Sequence, residues 1–494
     1  MAEMKRLAKD TAIYGISSIL GRFLNWCLTP FYTFTLGNTA EFGVVSKVYA
    51  WTSLLMVILT YGMETGFFRF ANKPGNKPEN VYTTSMFSLL VTSLAFLIVS
   101  TLFMNPAAKS LNVANNPEFV WMMALTVAID AFSAIPFAWL RFCKRPIMFA
   151  GLRILMIGAN IFFNVFFLWV CPMIHRSAPE LISWFYNPEY RVGYVFVANV
   201  FSSIIGLIPM LPIMWNVKWI FSWPLLKELL KYSRPLMYLG IAGIMNQSLD
   251  KILIPYLYPD MSTGDSQLGI YSACFKLGLV MMLFTQAFRY AYEPFVFSIS
   301  KNTNSKQSYV DGMKYFLLFS VLVFLGVMYY MDVIKFLLAP KYHAGLVVVP
   351  IVLFSYIFQG ISFNLSFWYK LTDKTKWGAY ISFMGLAVTV LGNIIFVPLF
   401  GYIASAWTSF VCFLVMMVVS WLLGQRFFPI KYDLKMAGRY VVVGGLFYTV
   451  GMYMPIPDLR IRLAYRTLLL LSFVLYVIRV DLPAGTFKTL LGKK

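Results

Sequence analysis

The sequence predicts an all-α polytopic membrane protein with about fourteen transmembrane helices, and three observations lead to that fold class. Of the 494 residues, 60% are hydrophobic and only 12% are charged, whereas soluble domains carry about 25% charged residues. Apolar stretches of about 20 residues, the length at which a helix crosses a bilayer, recur along the whole chain. No polar segment between them is long enough to fold as a separate soluble domain.

The candidate spans follow these apolar stretches in order. The first contains Arg22 and has no small-residue cleavage pattern, so we expect it to remain as a helix and not to be removed as a signal peptide. The thirteenth is the shortest. The fourteen spans are 9–36, 42–70, 81–104, 118–140, 147–170, 192–215, 235–257, 267–298, 312–334, 345–369, 377–398, 402–423, 440–454 and 463–478.

The basic residues indicate the orientation of the chain. With fourteen spans, 26 of the 41 Lys and Arg residues lie on the side of the N-terminus and eight on the opposite side. Cytoplasmic connections are enriched in Lys and Arg, so both termini are expected in the cytoplasm. One span more or fewer would destroy this separation, which supports an even number.

An internal repeat divides the chain into two similar halves. When the sequence is aligned with itself so that Trp139 meets Trp368, spans four and five fall over spans ten and eleven. Nearly the same shift in residue number also aligns the first spans of the two halves. Six spans separate the copies, so both have the same orientation, and parallel repeats of this kind enclose a substrate cavity. Similar apolar composition is the alternative explanation. The other matches include Arg141 with Lys370, Asn164 with Asn393, and Gly43 with Gly269.

The repeat predicts four regions. Residues 1–217 form an N-terminal six-helix lobe and residues 235–430 a C-terminal six-helix lobe. Residues 218–234, in which aromatic residues and leucines alternate with lysines, form a cytoplasmic amphipathic linker in the membrane plane. Residues 431–494 add helices thirteen and fourteen and a cytoplasmic tail.

Charged residues within the spans are the candidates for function, because a charge at mid-bilayer costs roughly 3 kcal/mol on insertion scales. Some charges near the span ends, among them Lys314, Asp332 and Arg466, are counted with the connections. Seven bases and four acids then remain inside the spans, and this excess of bases suits an anionic substrate. The candidate substrate-binding bases are Arg22, Arg69, Lys251, Lys276 and Arg289. The candidate acids for ion coupling or gating are Glu64, Asp130, Asp250 and Glu293.

Structural roles are the alternative for several of these charges. Lys47, Arg69 and Arg153 lie near span ends, where long basic side chains can reach the headgroups. Glu64 lies close to Arg69 and between two glycines, so a hinge or an ion pair is an alternative there.

Two further pairs of charges are close in sequence. Arg289 and Glu293, at i and i+4, can neutralise one another. Asp250 and Lys251 are adjacent and do not share a helix face, so we expect each to find its partner elsewhere.

Several kinds of chemistry have no support in the sequence. There is no phosphate-binding loop of the type GxxxxGK[ST], and five scattered cysteines and two distant histidines form no disulfide framework or metal site. We therefore expect no cofactor, no metal and no catalysis. The net charge of +21 comes from short basic clusters dispersed between apolar stretches, which is typical of membrane topology, so we also expect no nucleic-acid partner. Arg offers two-point pairing to phosphate, so a lipid-linked pyrophosphate is a chemically reasonable substrate.

The order of several short motifs resembles a known family. The stretch NIIFVPLFGYIASA from Asn393 is similar to the connection between spans eleven and twelve in the multidrug/oligosaccharidyl-lipid/polysaccharide exporter superfamily. The segments TAIYG from Thr11, LGRF from Leu20, EFG from Glu41 and ETGFFRF from Glu64 resemble its polysaccharide flippase branch. The resemblance covers about residues 1–430.

This resemblance implies a V-shaped pair of six-helix lobes in the bacterial inner membrane with an alternating-access cavity. It implies an undecaprenyl-pyrophosphate-linked oligosaccharide as substrate, with polysaccharide polymerases as candidate partners. In the peptidoglycan-precursor branch, arginines on spans one, two and eight line the cavity, and Arg22, Arg69 and Arg289 fall on those spans.

Three alternatives to a polysaccharide flippase stay open at this point. The first is a flippase for the peptidoglycan precursor lipid II, from the same superfamily. The second is a cation-coupled drug exporter, although such exporters usually have twelve spans and need buried acids. The third is an integral-membrane polymerase or ligase. A large loop rich in Arg or His would support this class, and the sequence contains none.

Overall fold

The computed structural model describes residues 20–299, 305–372 and 374–481, and its regular elements are helices, with no β-strand in these ranges. The α-helices are α1 (20–35), α2 (Thr39–Thr60), α3 (Met63–Ala71), α4 (Pro78–Leu102), α5 (Met104–Ser110), α6 (Glu118–Phe142), α7 (Pro146–Val165), α8 (Cys171–Ser177), α9 (Arg191–Leu207), α10 (Leu211–Trp215), α11 (Trp223–Leu257), α12 (Met261–Ile299), α13 (Ser305–Tyr329), α14 (Met331–Ile334), α15 (Val348–Leu365), α16 (Phe367–Leu371), α17 (Lys376–Phe400), α18 (Tyr402–Phe427), α19 (Leu434–Tyr453) and α20 (Leu459–Asp481). A π-helical turn, Phe166–Val170, joins α7 to α8, and a 3₁₀ segment, Pro340–Val347, leads into α15.

The predicted all-α membrane fold is confirmed. Eleven helical stretches of the described residues are long and apolar enough to cross a membrane, and they match predicted spans two to six, eight to twelve and fourteen. The seventh and thirteenth predicted spans are also helical, in α11 and α19, but they are more polar. The first predicted span is helical over residues 20–35 and otherwise lies outside the described residues.

Helix α11 combines the end of the predicted linker with the seventh span. It begins at Trp223 and continues without interruption for 35 residues. Its first turns bury Leu226 and Leu229 against Phe67 and Phe70 of α3. The second part of the predicted linker 218–234 is therefore the start of a long helix that is fixed to α3.

The chain forms two compact units. The first comprises the described residues within 1–273 together with 382–408, and the second those within 274–381 and 409–494. In the first unit, Tyr82 and Trp139 lie with ring centroids 4.7 Å apart in an aromatic core. In the second unit, Trp368 stacks on Phe427 with centroids 5.6 Å apart.

Two buried asparagines show the internal repeat in three dimensions. Asn164 and Asn393, which the repeat aligns with one another, are both fully buried. Each amide donates to the backbone carbonyl four residues earlier at 2.8 Å. Each side-chain oxygen accepts a hydroxyl, from Tyr32 at 2.9 Å and from Ser405 at 2.6 Å. The two asparagines thus make equivalent hydrogen bonds at equivalent positions. The two halves are therefore similar in structure as well as in amino-acid composition.

Replacing Asn393 by Ala should lower the free energy of unfolding by about 1–3 kcal/mol, because it leaves the Ser405 hydroxyl without its buried acceptor. The measurement is thermal unfolding of the detergent-solubilised protein. Asn72 is the matched control, since its amide makes the same bond to the carbonyl four residues earlier, at 2.7 Å, on an exposed surface. Equal destabilisation by Asn393→Ala and Asn72→Ala would contradict this assignment.

Candidate functional site

A break in the second predicted span places Glu64. Helix α2 ends at Thr60 and α3 begins at Met63. The two residues between them, Tyr61 and Gly62, have positive φ, 34° and 72°. Glycine adopts this conformation at no steric cost. The break puts Glu64 in the first turn of α3, where a carboxylate is stabilised by the helix dipole.

Glu64 and Asp130 line the same cavity in the first unit. The cavity has a volume of about 220 Å³, and Arg153 also contributes to its wall. Asp130 accepts a hydrogen bond from Ser203 at 2.8 Å, and the Arg153 guanidinium lies 4.0 Å from the centre of the Phe137 ring. Two of the predicted acids therefore meet in one polar cavity between membrane-spanning helices.

The ion-pair partner of Glu64 is Arg141 at the end of α6, and not Arg69. Arg69 is exposed and its guanidinium lies 4.4 Å from the centre of the Tyr232 ring. The alternative that Glu64 belongs to an ion pair is therefore correct, but its partner comes from another helix. Proximity in sequence suggested the wrong base.

The second unit contains a cluster of two bases on one acid. Glu293 accepts from Arg289 at 3.3 Å and from Lys370 at 3.1 Å. Both bases also lie 4.7 Å from the centre of the Phe363 ring. Arg289 and Glu293 do pair, as their spacing indicated, but with Lys370 the cluster carries one net positive charge.

The two acid–base pairs are copies of one another. The alignment that takes Asn164 to Asn393 also takes Glu64 to Glu293 and Arg141 to Lys370. In each unit the carboxylate thus pairs with a base at the equivalent position. The repeat therefore duplicates a charged contact as well as a packing motif.

Asp250 and Lys251 correct the expectation that each finds its partner elsewhere. The Lys251 ammonium folds back to the two carboxylate oxygens of Asp250 at 3.1 and 3.2 Å. Asp250 is only 3% exposed and also accepts from the Tyr271 hydroxyl at 2.5 Å. The prediction considered Cβ directions alone, whereas the long, flexible lysine side chain can reach its neighbour.

The two remaining predicted substrate-binding bases lie in different units. Arg22 is exposed on α1 in the first unit, and Lys276 is half-buried on α12 in the second. Within the described residues, no group of three or more His, Cys, Asp or Glu side chains could hold a metal ion.

Two buried ion pairs were missed by the sequence analysis. Lys47 does not extend to the headgroups but is fully buried and bonds Asp265 at 2.5 Å. Arg466, counted in the sequence with the loop residues, is 4% exposed and bonds Asp332 at 2.9 Å. Asp265 escaped notice because the predicted eighth span began at 267, whereas α12 begins at Met261.

The fold and these paired intramembrane charges define a multi-pass helical membrane protein. Residues 7–300 match the family model described as polysaccharide biosynthesis protein. The chain belongs to this polysaccharide biosynthesis family. Comparison with curated protein sequences finds no match.

Solved structures show the same fold. A structure titled lipid II flippase MurJ, inward closed conformation, matches with a TM-score of 0.74 and 13% identity over 95% of this chain and 99% of that chain. An inward-facing multidrug resistance MATE family transporter of the MOP superfamily matches with a TM-score of 0.62 and 14% identity, over 82% and 94%. These structures confirm the fold that the resemblance to the multidrug/oligosaccharidyl-lipid/polysaccharide exporter superfamily implied.

The repeated ion pairs predict a measurable coupling. Double-mutant cycles for Glu64 with Arg141 and for Glu293 with Lys370 should each give on the order of 1 kcal/mol, because contacting partly buried charges interact. The measurement is the unfolding midpoint of single and double alanine variants in detergent. The control is Lys73 with Glu228, a pair exposed by 56% and 59%, which should give nearly none. A coupling as large in the control would contradict the assignment.

Proposed function

We propose that the protein is a flippase that moves an undecaprenyl-pyrophosphate-linked oligosaccharide, a precursor of O-antigen, capsule or exopolysaccharide, across the bacterial inner membrane by alternating access. The family match is the observation that carries this proposal. It covers residues 7–300, which contain all five predicted substrate-binding bases. The orientation taken here has both termini in the cytoplasm, and polysaccharide polymerases are the expected partners.

Arg289 is the base best arranged to receive a phosphate. It is 51% exposed and holds Glu293 by one bond of 3.3 Å. If Arg289 turned to a substrate, Glu293 would keep its contact with Lys370, so no carboxylate would be left unpaired. The planar guanidinium can then bind two phosphate oxygens at once. Arg22, Arg69, Lys251 and Lys276 are proposed to extend this positive lining.

The acids are proposed to couple transport to an ion or to gate it. Glu64 and Asp130 share a cavity that also holds Arg153, so a proton or cation that binds there would compete with the nearby bases. When Arg289 binds substrate, Glu293 would lose that partner and keep Lys370. Asp250 is held by Lys251 and Tyr271, which suits a gating role better than free exchange of an ion.

A lipid II flippase is the main alternative, and one observation favours a lipid-linked substrate over a drug. The MurJ structure aligns with 95% of this chain, whereas the MATE structure above aligns with 82%. The larger aligned share of this chain agrees with a protein that has two more membrane spans than the twelve usual in a drug exporter. Lipid II and polysaccharide precursors share a prenyl pyrophosphate and differ in the sugar, so the saccharide decides between them.

Arg289→Ala and Arg22→Ala should each reduce flipping by about 10- to 100-fold, because a hydrogen bond to a charged group contributes roughly 1.5–3 kcal/mol. The assay uses purified protein in vesicles, with undecaprenyl-pyrophosphate-linked saccharide as cargo and enzymatic access to the outer leaflet as readout. Arg289→Lys and Arg22→Lys should keep part of the activity.

The matched control is Arg426→Ala, which removes an exposed arginine at the end of α18 and should leave flipping unchanged. Wild-type flipping by both Arg22→Ala and Arg289→Ala would exclude these arginines from the substrate path. Efficient flipping of lipid II but not of polysaccharide precursors would replace the proposed cargo with the alternative.

A further inference from the structure

Two further bases join Arg466 at the carboxylate of Asp332 in the second unit. Arg466 donates to one carboxylate oxygen at 2.9 Å. The Arg462 Nε lies 3.0 Å from the same oxygen, and the Lys335 Nζ lies 3.8 Å from the other. Three positive charges against one negative charge leave a net positive charge. We call these four residues the Asp332 cluster.

Arg466 is the structural member of the Asp332 cluster. Its side chain is buried, and its guanidinium also donates to the backbone carbonyls of Gly451 at 2.9 Å and Tyr329 at 3.0 Å. These bonds join the start of α20 to the ends of α19 and α13. Arg466 alone therefore neutralises Asp332 and holds three helix ends together.

Arg462 and Lys335 are not needed for that contact. Their side chains are 29% and 35% exposed, so both reach the surface. Within the described residues, Asp332 is the only carboxylate paired with either base. The Arg462 Nε is buried without a hydrogen bond to any described residue, and its Nη1 donates to the Ile456 carbonyl only at 3.4 Å. Both bases can therefore take a further oxygen ligand.

The Asp332 cluster lies on the side of the membrane where bases are scarce. Asp332 and Lys335 follow α13, and Arg462 and Arg466 lie in the first two turns of α20, at the two connections predicted to be extracytoplasmic. Three of the eight bases assigned to that side thus meet at one carboxylate. Topology signals place Lys and Arg in the cytoplasmic connections, so membrane insertion does not explain this excess of positive charge.

Exposed apolar side chains occur on the same segments as the Asp332 cluster. Val333 and Phe336 are exposed on the segment that carries Lys335, and Ile461 is exposed next to Arg462. Farther along α20, exposed leucines continue into the membrane span: Leu468, Leu471 and Leu475. Such a face of a spanning helix contacts lipid chains. A lipid whose chains lie along α20 would thus place its headgroup beside the cluster.

We propose that the Asp332 cluster binds the phosphate of an anionic phospholipid in the leaflet predicted to be extracytoplasmic, with Arg462 and Lys335 as its ligands. The planar guanidinium can bind two phosphate oxygens, and the ammonium adds a compact positive charge. Basic pockets between membrane helices bind anionic lipid headgroups in this way. Phosphatidylglycerol suits the net positive charge, whereas phosphatidylethanolamine brings a cation of its own. The proposal depends neither on the cargo nor on transport.

Lipid-dependent thermal unfolding of the purified, delipidated protein in detergent tests the site. Phosphatidylglycerol should raise the unfolding midpoint more than phosphatidylethanolamine with the same acyl chains. In the double variant Arg462→Gln with Lys335→Gln, this difference between the two lipids should fall several-fold, because both phosphate ligands are lost. Comparing the lipids within one variant removes any loss of stability that does not depend on lipid.

The matched control is Lys109→Gln with Arg176→Gln. It removes two exposed bases from the same predicted side of the first unit and should keep the full difference between the lipids. An equal loss in this control would show attraction by overall charge alone and would overturn the site. No preference for phosphatidylglycerol in the parent protein would overturn it as well.

Asp332→Asn separates a lipid site from a purely structural ion pair. Without lipid, the variant should unfold at a lower temperature, because the buried Arg466 loses its carboxylate. Phosphatidylglycerol should then raise its midpoint more than that of the parent, because the bases face the phosphate with no competing acid. An equal or smaller effect would contradict the proposal. If this variant does not fold, the Arg462 and Lys335 double variant decides alone.

The same assay distinguishes a phospholipid from the headgroup of the proposed cargo. At equal concentration, phosphatidylglycerol should raise the midpoint at least as much as undecaprenyl pyrophosphate does. Stronger stabilisation by undecaprenyl pyrophosphate, lost in Arg462→Gln with Lys335→Gln, would assign the Asp332 cluster to the cargo and overturn the phospholipid site. Failure of the proposed flippase function would leave the preference for phosphatidylglycerol unchanged.

Discussion

A charge within a membrane-spanning helix must be paired or reach water, and this constraint organises the whole molecule. The described intramembrane acids have polar partners: Glu64 with Arg141, Glu293 with two bases, Asp250 with Lys251 and Tyr271, and Asp265 with Lys47. Most of these partners come from another helix. Each pair between two helices therefore fixes how those helices pack, and the bases in excess of acids supply the positive charge on which the proposed function depends.

Duplication explains why these contacts recur. A single alignment of the two repeats relates both the buried asparagines and the acid–base pairs. Helices α2 and α12 add a reciprocal contact between the copies, in which Gly43 lies against Asp265 and Gly269 against Thr39. Departures from this symmetry then mark specialised positions. Lys370 shares Glu293 with Arg289, and the Lys47–Asp265 pair has Ala273 and Thr39 at its equivalent positions.

The sequence predicted the fold and the Arg289–Glu293 pair within one helix, but not which charges meet between helices. The lengths of the apolar stretches predicted the helices, and the internal repeat correctly aligned Arg141 with Lys370. Contacts between distant helices leave no periodicity in the sequence, so Arg141 was not expected as the partner of Glu64. Two errors hid the buried pair of Lys47 and Asp265: Lys47 was interpreted as reaching the headgroups, and the eighth span was started just after Asp265. The same alignment also relates Glu64 to Glu293, which could have indicated the repeated pair.

The most direct test of the account is the distribution of lipid-linked saccharides across the membrane after depletion of this protein. Each leaflet would be probed separately, and the glycan of any trapped lipid would be identified. We predict that undecaprenyl-pyrophosphate-linked oligosaccharide accumulates on the cytoplasmic face, while lipid II keeps its normal distribution. A normal distribution of every lipid-linked saccharide would contradict it.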